Sequence, residues 1–123
     1  MTANENIVRD FIAAWSTLDV DRIVGFFADD GIYHNMPIAP VQGRERLRPF
    51  IAGFIKDWAA TDWEIVHVVA AGDTVMAERI DHTRVGTKTV DLPCCGVFEM
   101  KDGKIKVWRD YFDIGVYTRA LAG

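Results

Sequence analysis

Apolar residues in the first half of the chain recur at the spacing of amphipathic helices. Residues 4–16 carry them three and four positions apart, which predicts a first helix. Asp19 is placed to cap a second helix whose apolar side chains extend to Phe27. A third helix is predicted over residues 43–58. Pro49 lies inside it and should kink the helix or delay its start.

The pattern then changes to the alternation that is typical of strands. One short strand is predicted earlier, from Ile32 to Met36, where Pro37 ends it. The second half is predicted to hold four longer strands, two turns rich in Gly and Asp, and a short closing helix. The strands are 63–70, 74–85, 87–100 and 104–113, the turns are 72–73 and 101–103, and the helix is 114–121.

This order, helices first and an antiparallel meander afterwards, indicates an α+β fold. We expect a curved, mostly antiparallel sheet wrapped around the N-terminal helices as a cone with an internal pocket. The 123 residues match the usual size of one domain, so residues 1–123 are predicted to form a single domain.

Charged residues fall on strand faces that otherwise look apolar. Arg79 and Asp81 share one face of their strand, and Asp110 shares a face with Trp108 and Phe112. A lone carboxylate in an apolar interior would be costly or would take up a proton. Arg79 is the expected partner, because its planar fork can hold two carboxylates at once.

Such a triad could keep one aspartate ionised and the other protonated. That asymmetry suits an enzyme that takes a proton from one group and gives a proton to another. Tyr33 and Asn35, which share a face of the short strand, are expected to add neutral hydrogen bonds. A structural ion pair without chemistry remains the alternative, and the spacing alone does not name a reaction.

Composition narrows the classes of partner. The net charge of −4 argues against a nucleic-acid binder. No apolar run approaches the roughly 18 residues of a membrane span, and the polar first residues lack a signal-peptide core, so a cytoplasmic protein is expected. Cys94 and Cys95 are predicted to be free thiols, and with the three histidines they make no metal-binding spacing.

Several motifs together resemble the limonene-1,2-epoxide hydrolase family, in order and over nearly the whole chain. Each is weak alone, but the combination is specific. They are Tyr33-His34-Asn35-Met36-Pro37, Gly43-Arg44-Glu45, Glu78-Arg79-Ile80-Asp81, Gly96-Val97-Phe98 and Trp108-Arg109-Asp110-Tyr111-Phe112-Asp113.

The resemblance implies the cone fold of nuclear transport factors and ketosteroid isomerases, a homodimer, and no metal or organic cofactor. It implies that Asp110 is the general base that deprotonates water, which Tyr33 and Asn35 help to hold. Asp81 would be the general acid that protonates the epoxide oxygen. Arg79 would bridge the two aspartates and help to position the epoxide. The implied reaction is one step, without a covalent enzyme ester.

An apolar pocket would bind a small, largely apolar, cyclic epoxide. The residues predicted to line it, each of which could equally be plain core, are Met36, Thr83, Leu92, Cys94, Trp108 and Phe112.

Two other functions stay open: a ketosteroid-isomerase-like proton shuttle, and a non-catalytic module that binds a ligand or partner. Arg79 argues against the shuttle, which is expected to have no arginine bridging its carboxylates.

Overall fold

The helices form where the apolar spacing predicts them. The computed structural model describes residues 2–122. Thr2 caps the first helix, its hydroxyl accepting the Glu5 backbone N–H at 3.0 Å, and Asp19 caps the second by accepting the Arg22 N–H at 3.2 Å. The helices are α1 (Ala3–Ala14), extended by a 3₁₀ turn (Trp15–Thr17), α2 (Val20–Val24), α3 (Arg44–Ile55) and α4 (Ile114–Ala122).

Six strands form one mixed sheet in the order β2-β1-β6-β5-β4-β3. All neighbouring strands are antiparallel except β1 and β6, which run parallel. The strands are β1 (Phe27–Asn35), β2 (Val41–Gln42), β3 (Trp58–Ala71), β4 (Thr74–Val85), β5 (Lys88–Lys101) and β6 (Lys104–Phe112).

The sheet curls around α1, whose apolar face supplies the centre of the core. The Phe11 ring of α1 is fully buried and contacts the rings of five other aromatic residues. Irregularities in register break the β3–β4 ladder between Ile65 and His67 and the β5–β6 ladder between Glu99 and Met100. Bulges of this kind bend a strand and increase its twist, which lets the sheet wrap around the helices.

The starts of two strands differ from the prediction, and one further strand is present. β1 starts at Phe27, which pairs with Ile105 of β6, so Phe27 belongs to the sheet and not to the second helix. β3 starts at Trp58 and includes the end of the predicted third helix. The short strand β2 was not predicted.

Pro49 does not delay the start of α3, which begins at Arg44 and continues through the proline. Pro49 is the sixth of the twelve residues of α3, so its missing N–H removes one backbone hydrogen bond within the helix. Within residues 2–122, no helix has both the length and the apolar character needed to cross a bilayer.

Candidate active site

The fold brings together polar groups from β1, β4 and β6 on the inner face of the sheet. Asn35 of β1 pairs in register with Asp110 of β6, and Asp110 pairs with Gly96 of β5 on its other side. Arg79 lies on β4, one strand beyond Gly96. Its side chain must therefore cross β5 to reach Asp110.

Gly96 leaves the space through which Arg79 crosses. A Cβ atom at this position would lie 3.0 Å from Arg79 Nη1 and 2.7 Å from Trp108 Nε1. Real Cβ atoms essentially never come as close as 2.7 Å, and at 3.0 Å the Arg79 side chain would have to give by a few tenths of an ångström. The absence of a side chain at Gly96 is thus part of how the triad is built.

The Arg79 guanidinium makes four hydrogen bonds to the two aspartates. Nε donates to Asp81 Oδ1 at 3.0 Å and Nη2 donates to Asp81 Oδ2 at 2.9 Å. Nη1 and Nη2 donate to Asp110 Oδ1 and Oδ2, both at 2.9 Å. Each carboxylate is held by two bonds, the geometry that gives arginine its strongest pairs with acids.

Burial and charge act in opposite directions on these groups. Arg79 is fully buried and both aspartates are nearly so. Burial disfavours the charge on Arg79, but the adjacent carboxylates of Asp110 and Asp81 outweigh it and raise the pKa of the guanidinium. Burial raises the pKa of Asp81, and the pull of Arg79 only partly opposes this. Asp81 therefore keeps its proton to higher pH than an exposed aspartic acid would.

Tyr33 and Asn35 lie beside Asp110 on the parallel strand β1. Both are buried. The ring of Tyr33 stacks on Trp108, with centroids 4.3 Å apart and planes 5° apart. Burial, and then the charge of Asp110, raise the pKa of Tyr33 well above its usual range. Its phenol accordingly stays neutral and keeps a proton to donate.

A cavity of about 260 Å³ opens in front of the two aspartates. Asp81, Asp110, Tyr33 and Asn35 line it at the polar end, whereas Arg79 does not line it. The rest of the wall is apolar or aromatic, with Ile38, Phe54, Trp58, Trp63, Thr83, Val90, Leu92, Phe112, Ile114, Tyr117 and Thr118. Any effect of Arg79 on a ligand therefore passes through the aspartates.

Of the six residues predicted to line the pocket, Thr83, Leu92 and Phe112 do so. Met36 does not. It follows Asn35 directly, so alternation turns it away from the cavity, and it is 36% exposed.

Cys94 and Trp108 do not line the pocket either, because both are buried behind its wall. Trp108 packs between the rings of Tyr33 and Phe98. The Phe98 ring stacks on Trp108 with the ring centroids 5.3 Å apart. Among residues 2–122, its indole N–H has no hydrogen-bond partner.

The sequence prediction missed most of the aromatic wall. Trp58 and Trp63 both line the cavity from β3, which starts earlier than predicted. A register shift between Trp58 and Ala60 allows these side chains, five positions apart, to face the same side. Tyr117 lies on α4 with Ile114 and Thr118, at the spacing of one helical face. That spacing was visible in the sequence, but the position of α4 over the cavity was not.

Oxygen and sulfur atoms of Asp81, Cys94 and Asp110 lie within 4.8 Å of one another, a set that could ligate a metal ion. Arg79 already satisfies both carboxylates. Burial also raises the pKa of the Cys94 thiol, which opposes the thiolate that a metal requires. The residues present do not favour a cation here.

Comparison with known proteins decides the family. Residues 2–122 match the model of the limonene-1,2-epoxide hydrolase catalytic domain. The chain belongs to the limonene-1,2-epoxide hydrolase family. It is 32% identical over 107 residues to epoxide hydrolase EphG of Mycobacterium tuberculosis, which covers 87% of this chain and 71% of that protein. Both the predicted family and the predicted class of enzyme are confirmed.

Solved structures confirm the predicted fold class. An epoxide hydrolase of M. tuberculosis described as like limonene-1,2-epoxide hydrolase superposes with a TM-score of 0.84 at 30% identity, over 98% of this chain and 91% of that one. A protein of ketosteroid-isomerase-like fold from Catenulispora acidiphila also superposes with a TM-score of 0.84. It is 21% identical, and the match covers 93% of this chain and 90% of that one. The second likeness shows the fold alone.

Replacing Gly96 with alanine tests the crossing of Arg79 over β5. Because the new Cβ would displace Arg79 or Trp108, we expect G96A to lower the free energy of unfolding by about 1–3 kcal/mol. Urea denaturation measures this. The control is G53A in α3, where a Cβ meets nothing within 4 Å, and which should stabilise by roughly 0.5–1 kcal/mol. A neutral G96A would contradict the tight crossing.

Proposed function

We propose that this protein adds water to a small, largely apolar, cyclic epoxide and releases a vicinal diol, in one step, by general acid and general base catalysis. The observation that carries the proposal is the placement of two aspartates, bridged from behind by Arg79, at the polar end of an apolar cavity. One carboxyl can act as base while the other acts as acid.

Asp110 takes a proton from a water molecule that Tyr33 and Asn35 orient. The water oxygen attacks one ring carbon, and the bond between that carbon and the epoxide oxygen breaks. Asp81 gives its proton to the departing oxygen, which becomes the second hydroxyl of the diol. Asp110 ends protonated and Asp81 ionised, and exchange with solvent restores the starting state.

The demands of the reaction fit the two acids. An alkoxide is a poor leaving group and water is a weak nucleophile, so proton transfer at both ends lowers the barrier. General acid or base catalysis typically contributes about 10²–10⁴-fold. Burial raises the pKa of Asp81, which keeps a proton available on the acid.

The cavity limits the size and polarity of the substrate. Its volume of about 260 Å³ lies just below the usual range for ligand sites, roughly 300–1,000 Å³. Its walls are largely apolar and aromatic, so a compact, hydrocarbon-like epoxide suits them better than a charged one.

The proton-shuttle alternative has less support. A shuttle of the ketosteroid-isomerase type uses one aspartate as base and a neutral acid to stabilise an oxyanion. Here Arg79 donates two bonds to each aspartate. The binding-module alternative is a protein without catalytic activity, in which replacement of Asp110 would change no reaction rate.

The homodimer, the independence of cofactors and the cytoplasmic location stay predictions.

Substitution of the base is the direct test. D110N keeps the shape of the side chain and removes its basicity, so we expect the rate of diol formation to fall at least about 10²-fold. The measurement is chromatographic detection of diol from a panel of cyclic epoxides, without added metal. The denaturation midpoint of D110N should be recorded as a control for folding. Near-wild-type turnover by folded D110N would remove Asp110 from the proposed role.

The pH dependence tests the acid. A general acid must be protonated, and burial raises the pKa of Asp81 above its usual range. The protonated form thus persists to higher pH than in an exposed aspartic acid. We expect kcat/KM to fall as pH rises through this raised pKa, and D81N to lose that alkaline limb together with most of the activity. If D81N keeps the fall in kcat/KM at high pH, a group other than Asp81 is the general acid.

Isotope labelling tests the single step. In one turnover in ¹⁸O-water, the label should enter the diol and should be absent from the protein, because water attacks the ring directly. Mass spectrometry of the diol and of peptides containing Asp81 and Asp110 measures both. Label in either aspartate would indicate a covalent ester intermediate instead.

A further inference from the structure

Trp63 lies directly against the guanidinium that holds the two aspartates. It is on the inward face of β3, paired in register with Asp81 of β4. The Cζ atom of Arg79 lies over the Trp63 ring, 4.6 Å from its centroid. Trp63 also lines the cavity, whereas Arg79 does not. The indole therefore belongs both to the wall that a ligand meets and to the surroundings of the buried cation.

The hydrogen bonds of Arg79 leave its faces to be held by something else. A guanidinium donates only in its own plane, and the four bonds to Asp81 and Asp110 lie along that plane. These in-plane hydrogen bonds only weakly restrain the guanidinium from tilting out of that plane. Two tryptophan rings lie against the cation, Trp63 with its centroid 4.6 Å from Cζ and Trp108 farther away at 5.6 Å. An aromatic face restrains the cation in the remaining direction, and the attraction is strongest for tryptophan and for desolvated pairs.

Trp63 is itself held in place by its neighbours. Its indole Nε1 donates to Thr61 Oγ1 at 3.0 Å, and this hydroxyl lies 2.7 Å from Thr83 Oγ1. Trp15 stacks on the ring with centroids 4.4 Å apart and planes 16° apart. An indole fixed by a hydrogen bond and a stacked ring can act as a rigid support.

We propose that Trp63, fixed by Thr61 and Trp15, is a positioning residue for Arg79 and, through Arg79, for the acid and the base. This inference rests on the proposed function. Without the indole, the guanidinium tilts and water reaches it from the cavity. The carboxylates then lose the fixed relative orientation that proton transfer at both ends of the reaction requires.

Trp58 provides a matched control. Like Trp63 it lies on β3, is 8% exposed and lines the cavity. Its indole N–H also donates to a hydroxyl, that of Tyr117, at 3.1 Å. Of these two tryptophans, only Trp63 lies over Arg79. A comparison of W63L and W63F with W58L and W58F therefore separates support of the cation from loss of cavity wall.

The decisive readout is hydrogen exchange of the Arg79 Nε–H, followed by ¹⁵N NMR and assigned through bonds to the Arg79 backbone. This proton is bonded to Asp81 at 3.0 Å. We expect W63L to speed its exchange at least about tenfold and to lower kcat to a similar extent, with partial rescue in W63F. W58L and W58F should leave the exchange at the wild-type rate and change mainly KM.

The proposal is overturned if W63L exchanges at the wild-type rate and changes only KM, or if W58L speeds exchange as much. If W63L does not fold, T61V takes its place, with T61S as the variant that keeps the hydroxyl. T61V should speed exchange and T61S should not, and equal rates would overturn the proposal. The exchange measurement uses no substrate, so a wild-type protein inactive on epoxides would refute the proposed function without deciding the role of Trp63.

Discussion

One buried cation, shared between two carboxylates, constrains the rest of this structure. Arg79 is fully buried, and its charge is compensated there by both Asp81 and Asp110. Removing one partner from such a group typically costs about 3–5 kcal/mol, since it leaves an uncompensated charge. Gly96 gives the guanidinium room to cross β5, and Trp63 covers it. These features are all arranged around one side chain.

The arrangement places the cation behind the wall and the acids in front of it. Asp81 and Asp110 line the cavity, and Arg79 does not. A ligand thus meets two carboxyl groups whose orientation is fixed by a cation that it does not touch. Burial raises the pKa of Asp81, so this acid keeps its proton to higher pH than an exposed aspartic acid would.

Much of the site could be predicted because alternation along strands is a strong geometric rule. It places Arg79 and Asp81 on one face and Asp110 on the face of Trp108, as the structure does. Applied strictly, the same rule would have excluded Met36. Trp58, Trp63 and Tyr117 were missed for a different reason. Their places depend on where β3 begins and on how α4 packs, and tertiary contacts set both.

The parallel pairing of β1 with β6 joins segments from opposite ends of the chain. Asn35 reaches Asp110 only after everything between them has been synthesised and the last strand has docked. Long-range pairings of this kind close late, because the entropy of a large loop must be lost first. A partly folded chain in which β1 has not yet docked therefore lacks Tyr33 and Asn35 beside Asp110. Catalytic turnover by this protein would therefore show that the chain has folded completely.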